Sequence, residues 1–213
     1  MKHFIMLAVA LLVVAASDLT SQEQKPIQLP SPQTQIGKPL MQALNLRQSS
    51  RSFDSKALPL QEISNLLWAA DGINRPETGK RTAPSAMNWQ EVDVYVMTQE
   101  GTYLYDAKAN CLNLVVAQDL REATGKQPFV KDAPLNLVYV SDYGRMEKAS
   151  NDDKMMWGGA DVGFIAQNVY LYCASQGLSV VVRGMIDRDI LAPALKLRSD
   201  QKIILAQTVG YPK

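Results

Sequence analysis

The hydrophobic period of this sequence changes at Glu91, and that change decides the class of fold. Upstream, apolar residues recur at helical spacing: Leu40 and Leu44 follow Pro39, and Leu60, Ile63, Leu66 and Leu67 run towards Gly72. Proline is tolerated at a helix start and glycine ends a helix, so one helix is predicted after Pro39 and another over 60–72. Downstream, Val92, Val94 and Val96 alternate with Asp93, Tyr95 and Met97, the period of two that a strand imposes. Glu100-Gly101 then turns the chain into a second strand over 102–105, making a hairpin. Further strands are predicted over 135–140, 178–183 and 203–209. Between them lies a long helix over about 159–176, closed by Gly177, and a short one over about 187–195. Helices and strands interleave without strict β-α-β order. The expected class is therefore α+β, a mostly antiparallel or mixed central sheet flanked by helices. A length of 213 residues suits one domain with short appendages.

The N-terminus is organised differently. Lys2 and His3 precede an unbroken apolar run of 13 residues, Phe4 to Ala16, followed by small residues and then Asp18. This is the layout of a secretory signal peptide, and the run is short for a membrane span. Residues 1–24 are expected to be this signal, directing the chain to the periplasm with no stable membrane association after cleavage. A retained anchor is the alternative. Residues 25–39, with Pro26, Pro30, Pro32 and Pro39 and no apolar periodicity, read as an extended linker. The domain proper spans 40–213.

Charge and composition narrow the function. A formal net charge of +1, with basic residues spread along the chain, gives no field to gather nucleic acid. Small molecules and proteins are the expected partners. The single histidine, His3, lies in the signal, which removes histidine-based acid–base, nucleophilic and metal chemistry from the domain. Cys111 and Cys173 carry no metal spacing, and two buried thiols are the simpler reading than a disulfide. No metal site is expected.

Four segments could carry a ligand. Arg47-Gln48-Ser49-Ser50-Arg51-Ser52-Phe53 puts two guanidiniums four residues apart with hydroxyls between, a fork for a phosphate. Taken alone, a solvated helix end is the simpler reading. Arg81 to Gln90, a loop between helix and strand, contains Pro84, Ser85 and Ala86, small enough to lie beside a flat ligand, and the amides of Asn88 and Gln90. Trp157-Gly158-Gly159-Ala160, ahead of the long helix, could receive a phosphate, although tight helix packing explains it better. Val182-Arg183-Gly184-Met185 ends a strand, where glycine lets backbone N–H groups reach a ligand. The paired acids Asp152-Asp153 and Asp187 with Asp189 read as solvated or capping residues.

Taken in order, these segments resemble the nitroreductase family, particularly shorter members related to the flavin dehydrogenases of azole-peptide biosynthesis. The similarity rests on Arg47-x-Ser49-x-Arg51-x-Phe53, on Leu67-Trp68-Ala69-Ala70-Asp71-Gly72 followed by Arg81 to Ala86, and on Asp161-Val162-Gly163 with Ala166-Gln167-Asn168. Gly177-Leu178 and Gly210-Tyr211-Pro212 complete it, so that residues 40–212 are covered. The resemblance implies a three-layer α+β fold and a homodimer with FMN at the subunit interface. It implies that Arg47, Ser49 and Arg51, with Gln48 among them, hold the FMN phosphate and ribityl chain, with Gly184 closing the site. Pro84, Ser85, Ala86 and Asn88 of the other subunit would approach the flavin ring. Many members continue beyond Gly-Tyr-Pro into an arm with basic phosphate contacts; here the sequence stops at Lys213, and Arg183 is the expected substitute for that charge. The chemistry implied is ping-pong hydride transfer through flavin N5, from NAD(P)H to nitroaromatic or quinone-like acceptors, with no protein residue as obligate acid or base. The alternatives are a flavin dehydrogenase or oxidase acting on a small or peptide substrate, and a non-catalytic flavin-binding envelope protein.

Overall fold

In the computed structural model, which describes residues 25–213, the change of period at Glu91 becomes a change of layer. The expected signal, 1–24, lies outside the described residues. In chain order the elements are β1 (Ile27–Gln28), α1 (Leu40–Leu46), α2 (Leu60–Asp71), β2 (Ile73–Arg75), β3 (Lys80–Arg81), β4 (Val92–Met97), β5 (Thr102–Asp106) and β6 (Cys111–Val116). There follow α3 (Phe129–Asp132), β7 (Leu135–Asp142), α4 (Asn151–Gln176), β8 (Ser179–Arg183), α5 (Arg188–Ala194) and β9 (Gln201–Gly210).

Seven strands form one sheet in the order β1-β6-β5-β4-β7-β9-β8, with every pairing antiparallel. The ribbon of β2 and β3 stands apart from it. The alternation read in β4 sorts its side chains between two cores. Val92, Val94 and Val96 pack with Leu66 and Leu67 of α2 and with Val162, Ile165 and Val169 of α4. Tyr95 and Met97 point the other way, to Leu191 of α5 and to Leu120. Both faces are covered, so β7 is buried at all eight positions. Burying each such aliphatic side chain contributes about 1.5–3 kcal/mol, which fixes the register against a one-residue slip. The result is the three-layer α+β arrangement expected, helices α2 and α4 on one side and α5 on the other.

Several expectations change in detail. The 25–39 segment is extended but not a free tether. β1 adds to the sheet edge beside β6, Leu29 is buried in the main core, and Ser64 Oγ donates to the Pro30 carbonyl. Strand β6 was not foreseen. The long helix begins at Asn151 rather than 159, capped by Ser150, whose hydroxyl accepts from the Asp153 amide. Gly158 and Gly159 therefore lie inside the helix, where no free N-terminal amides exist to bind phosphate. Gly158 packs on the sheet, since a Cβ there would meet Ser141 Oγ at 2.6 Å, while Gly159 and Gly163 have nothing within 4 Å of a Cβ. Gly177 ends the helix in the left-handed conformation, φ 76°, as a C-cap glycine does. Cys111 and Cys173 are separate buried thiols. Among the described residues, no helix is long and apolar enough to cross a membrane and no group of acidic, Cys or His side chains could hold a metal.

Candidate functional site

Arg47 terminates α1, and the chain then runs across β8, where the Ser50 amide donates to the Val180 carbonyl. Phe53 anchors the far end in a small apolar cluster with Ala133 and Val181, its ring 5.4 Å from that of Phe129. Between these anchors the polar groups are organised by Tyr170 of α4. Its hydroxyl lies 2.8 Å from Ser49 Oγ and accepts from the Val182 amide at 2.9 Å. The Arg47 guanidinium rests over its ring, 5.4 Å from the centroid. Gln48, Ser49 and Arg51 are exposed, and neither Arg47 nor Arg51 forms a salt bridge among the described residues. This is a cationic fork with no internal counter-charge, whose donor set fits a phosphate monoester.

The second segment is built over the middle of the same helix. Arg81 bonds Asp71 Oδ2 at 3.0 Å and Gln90 Oε1 at 2.9 Å, clamping the loop to the end of α2. Ser85 turns its hydroxyl inward, accepting from the Gln90 amide at 2.8 Å and donating to Glu91 Oε2 at 3.2 Å. The Ala86 amide donates to Asp161 Oδ2 of α4 at 2.8 Å. Met87, Asn88 and Gln90 adopt positive φ of 50°, 57° and 48°, unusual for residues other than glycine. Pro84, Ser85 and Asn88, with Arg81 and Lys80, line a cavity of about 320 Å³. Beneath it, burial raises the Asp71 carboxyl to about 7 despite the Arg81 charge. Burial, and then the Asp161 charge, raise Glu91 from the ordinary glutamate range towards neutrality.

The fork and the loop are not brought together within one chain. They attach to α4 at Tyr170 and Asp161, nine residues apart, roughly 13–14 Å along the helix axis. The fourth segment is divided. Gly184 is exposed at the end of β8, with only Leu205 Cδ2 near a Cβ position, at 3.9 Å. Arg183 points to the opposite side of the sheet from Tyr170. Its guanidinium is buried, donating to the Thr124 carbonyl, to Thr208 Oγ1 at 3.0 Å and to Asn136 Oδ1 at 2.9 Å, and burial lowers its pKa to about 10. It therefore brings no charge to the Arg47 fork. A wider cavity of about 590 Å³ opens near α5, lined by Asp119, Lys126, Gln127 and Asp187 among others, and contains none of the site residues expected from the sequence.

The geometry agrees with the comparisons. The sequence model of the nitroreductase family matches residues 44–211. A nitroreductase-type protein of Methanocaldococcus jannaschii is 32% identical over 162 residues, 71% of this chain and 81% of that one. The crystal structure of a nitroreductase-type protein from Ralstonia eutropha JMP134 is 46% identical, with a TM-score of 0.85 over 90% of this chain and 91% of its own. That of a Desulfovibrio desulfuricans counterpart, solved in complex with FMN, is 21% identical and shares the fold, with a TM-score of 0.60 over 82% and 87%. From residue 44 to residue 211, the chain belongs to the nitroreductase family and is an oxidoreductase of that family's type.

Proposed function

We propose that the chain works as a homodimer that binds FMN and passes electrons from NAD(P)H to a small acceptor of the nitroaromatic or quinone class. The observation that carries this reading is that one helix bears two separated half-sites and an uncovered apolar face. On α4, Met155, Met156, Trp157 and Phe164 are exposed, and beside it α1 exposes Leu40, Met41 and Leu44. Gly159 and Gly163 leave open space on the same helix for another backbone. Exposed apolar area of this extent, continuous with small residues, is the mark of an interface. A second copy on this face supplies the loop that each fork lacks.

Arg47, Ser49 and Arg51 fit the phosphate and ribityl hydroxyls, Tyr170 holding Ser49 and Arg47 in place. Pro84, Ala86 and Asn88 present a flat, small surface to the ring, its backbone fixed from below by Asp161 and Glu91. When bound, FMN supplies hydride acceptance and release at N5. The chain's part is to bind, to orient and to exclude water. The basic n-region and apolar run support export, with the chain acting in the periplasm.

The test is the visible spectrum of the purified chain after incubation with FMN and desalting, with its mass in solution. A yellow dimer retaining about one flavin per subunit and bleached by NADH or NADPH is expected. A colourless protein, or a flavin-loaded monomer, overturns the reading.

A further inference from the structure

Three residues of one short loop, Met87, Asn88 and Gln90, stand at positive φ without being glycine. Such conformations are strained and persist only where the surroundings fix them. What fixes them is a chain of hydrogen bonds ending on two carboxyls. The Gln90 amide donates to Ser85 Oγ, Ser85 Oγ donates to Glu91 Oε2, and the Ala86 amide donates to Asp161 Oδ2. Glu91 has no solvent exposure, and its other oxygen, Oε1, has no partner. The Asp161 carboxyl binds the next residue of the same loop, and its negative charge bears on Glu91.

Two ionised carboxylates cannot rest against each other in a buried site without a cation. The nearby cations are committed elsewhere. Arg81 is paired with Asp71 of α2, and Arg145 with Asp93 of β4 and Asp142 of β7, where Arg198 joins it. From β7, the buried Ser141 hydroxyl is also unpartnered. We propose that Glu91 carries a proton which it donates to Asp161, and that this one-proton pair is the positioning element that holds the Ser85–Gln90 loop in its strained, ring-facing shape. The final clause rests on the flavin reading above; the pair itself does not. The direction of the Glu91 shift agrees, since burial and the Asp161 charge both favour its protonated form. When the pH rises through the ionisation of Glu91, one proton leaves to solvent and a second negative charge appears beneath the loop. The two carboxylates then repel, and the ends of the loop lose their common anchor.

The experiment is hydrogen exchange of the full chain without flavin, following the Ala86 and Gln90 amides as protection factors against pH. The infrared band of protonated carboxyls is read in parallel. Expected for the wild type is a fall in protection of tenfold or more as that band titrates away. Glu91→Gln keeps an acceptor for Ser85 and a donor for Asp161 but has no ionisable proton. It should lose its share of the band and hold the loop protected at every pH. Asp161→Asn, whose amide can face an ionised Glu91, should also flatten the profile and serves where the first variant fails to fold. A wild-type profile without a step, or a step that survives in both variants, overturns the pair. The flavin reading fails separately: a chain that takes up no FMN but shows the step keeps the pair, and one that takes up FMN with a flat wild-type profile loses it.

Discussion

The fork at Arg47–Arg51 and the loop at Ser85–Gln90 sit on one helix and are held in opposite ways. The fork is fixed by its backbone, by Phe53 and by Tyr170, and its two guanidiniums are left without a carboxylate partner among the described residues. In the loop nearly every polar group is used internally, on Arg81, Glu91, Asp161 and Gln90 itself, and the backbone is strained. On the proposed function, the difference separates two tasks. A group that must meet a ligand's charge is kept unpaired, whereas a surface that must only be flat is preorganised by spending its hydrogen bonds beneath itself. Arg183 extends the contrast: a third arginine near the same strand end, yet fully consumed by the protein.

The largest effect is expected at that third arginine. Replacing Arg183 by Met removes the donor to the Thr124 carbonyl and to Thr208 and Asn136 in a buried site. Unfolding free energy from denaturant titration should fall by about 3 kcal/mol, with flavin affinity changed by less than about threefold in the folded fraction. A variant that keeps its stability but loses flavin would collapse the distinction between the two kinds of arginine. Next in size is the fork. Arg47→Ala and Arg51→Ala should each weaken FMN binding by about 10- to 100-fold, the equivalent of about 1.5–3 kcal/mol for a charge-assisted contact. Stability should move by less than about 0.5 kcal/mol for the exposed Arg51, and by less than about 1 kcal/mol for the half-buried Arg47, which rests on Tyr170. Flavin quenching and thermal melts on the same samples separate the two quantities.

What was legible in the sequence follows the same division. The strands β4, β5, β7, β8 and β9 and the helix α2 declare themselves because one set of their side chains faces a single core at a regular period. Strand β6 alternates too, through Leu112, Leu114 and Val116, but it lies next to the sheet edge and its last four residues are only half-buried. The first turns of α4 bury nothing, so apolar spacing is silent there; the Ser150 cap with Asp153 three residues on was the available signal. The fork and loop were found as motifs. Glu91 and Asp161 were not singled out together, since they are 70 positions apart and converge only through the adjacent Ser85 and Ala86 of the loop. Tyr170 reads as a core residue until its hydroxyl is seen between Ser49 and Val182. Nor can a sequence show which way Arg183 points, because strand alternation sets its face only once the register with β9 is known.

The smallest effect bears on what joins the two halves. Gly163 lies in the middle of α4, exposed, with nothing within 4 Å of a Cβ. In an isolated chain, Gly163→Ala should therefore stabilise the helix by about 0.5–1 kcal/mol, the ordinary gain from replacing a helical glycine. If a second copy packs closely over this face, the same methyl group meets the partner's backbone, and overpacking of about 1–3 kcal/mol is charged to association instead. The expected result is a chain that melts higher when dilute and monomeric but dimerises about tenfold more weakly, measured by sedimentation over a concentration series. Gly158→Ala is the control of opposite sign, for its methyl would strike Ser141 Oγ inside the chain and lower stability at any concentration. A Gly163→Ala variant that is simply more stable and no weaker as a dimer would move the interface off this stretch of α4, and the two half-sites would then need another way to meet.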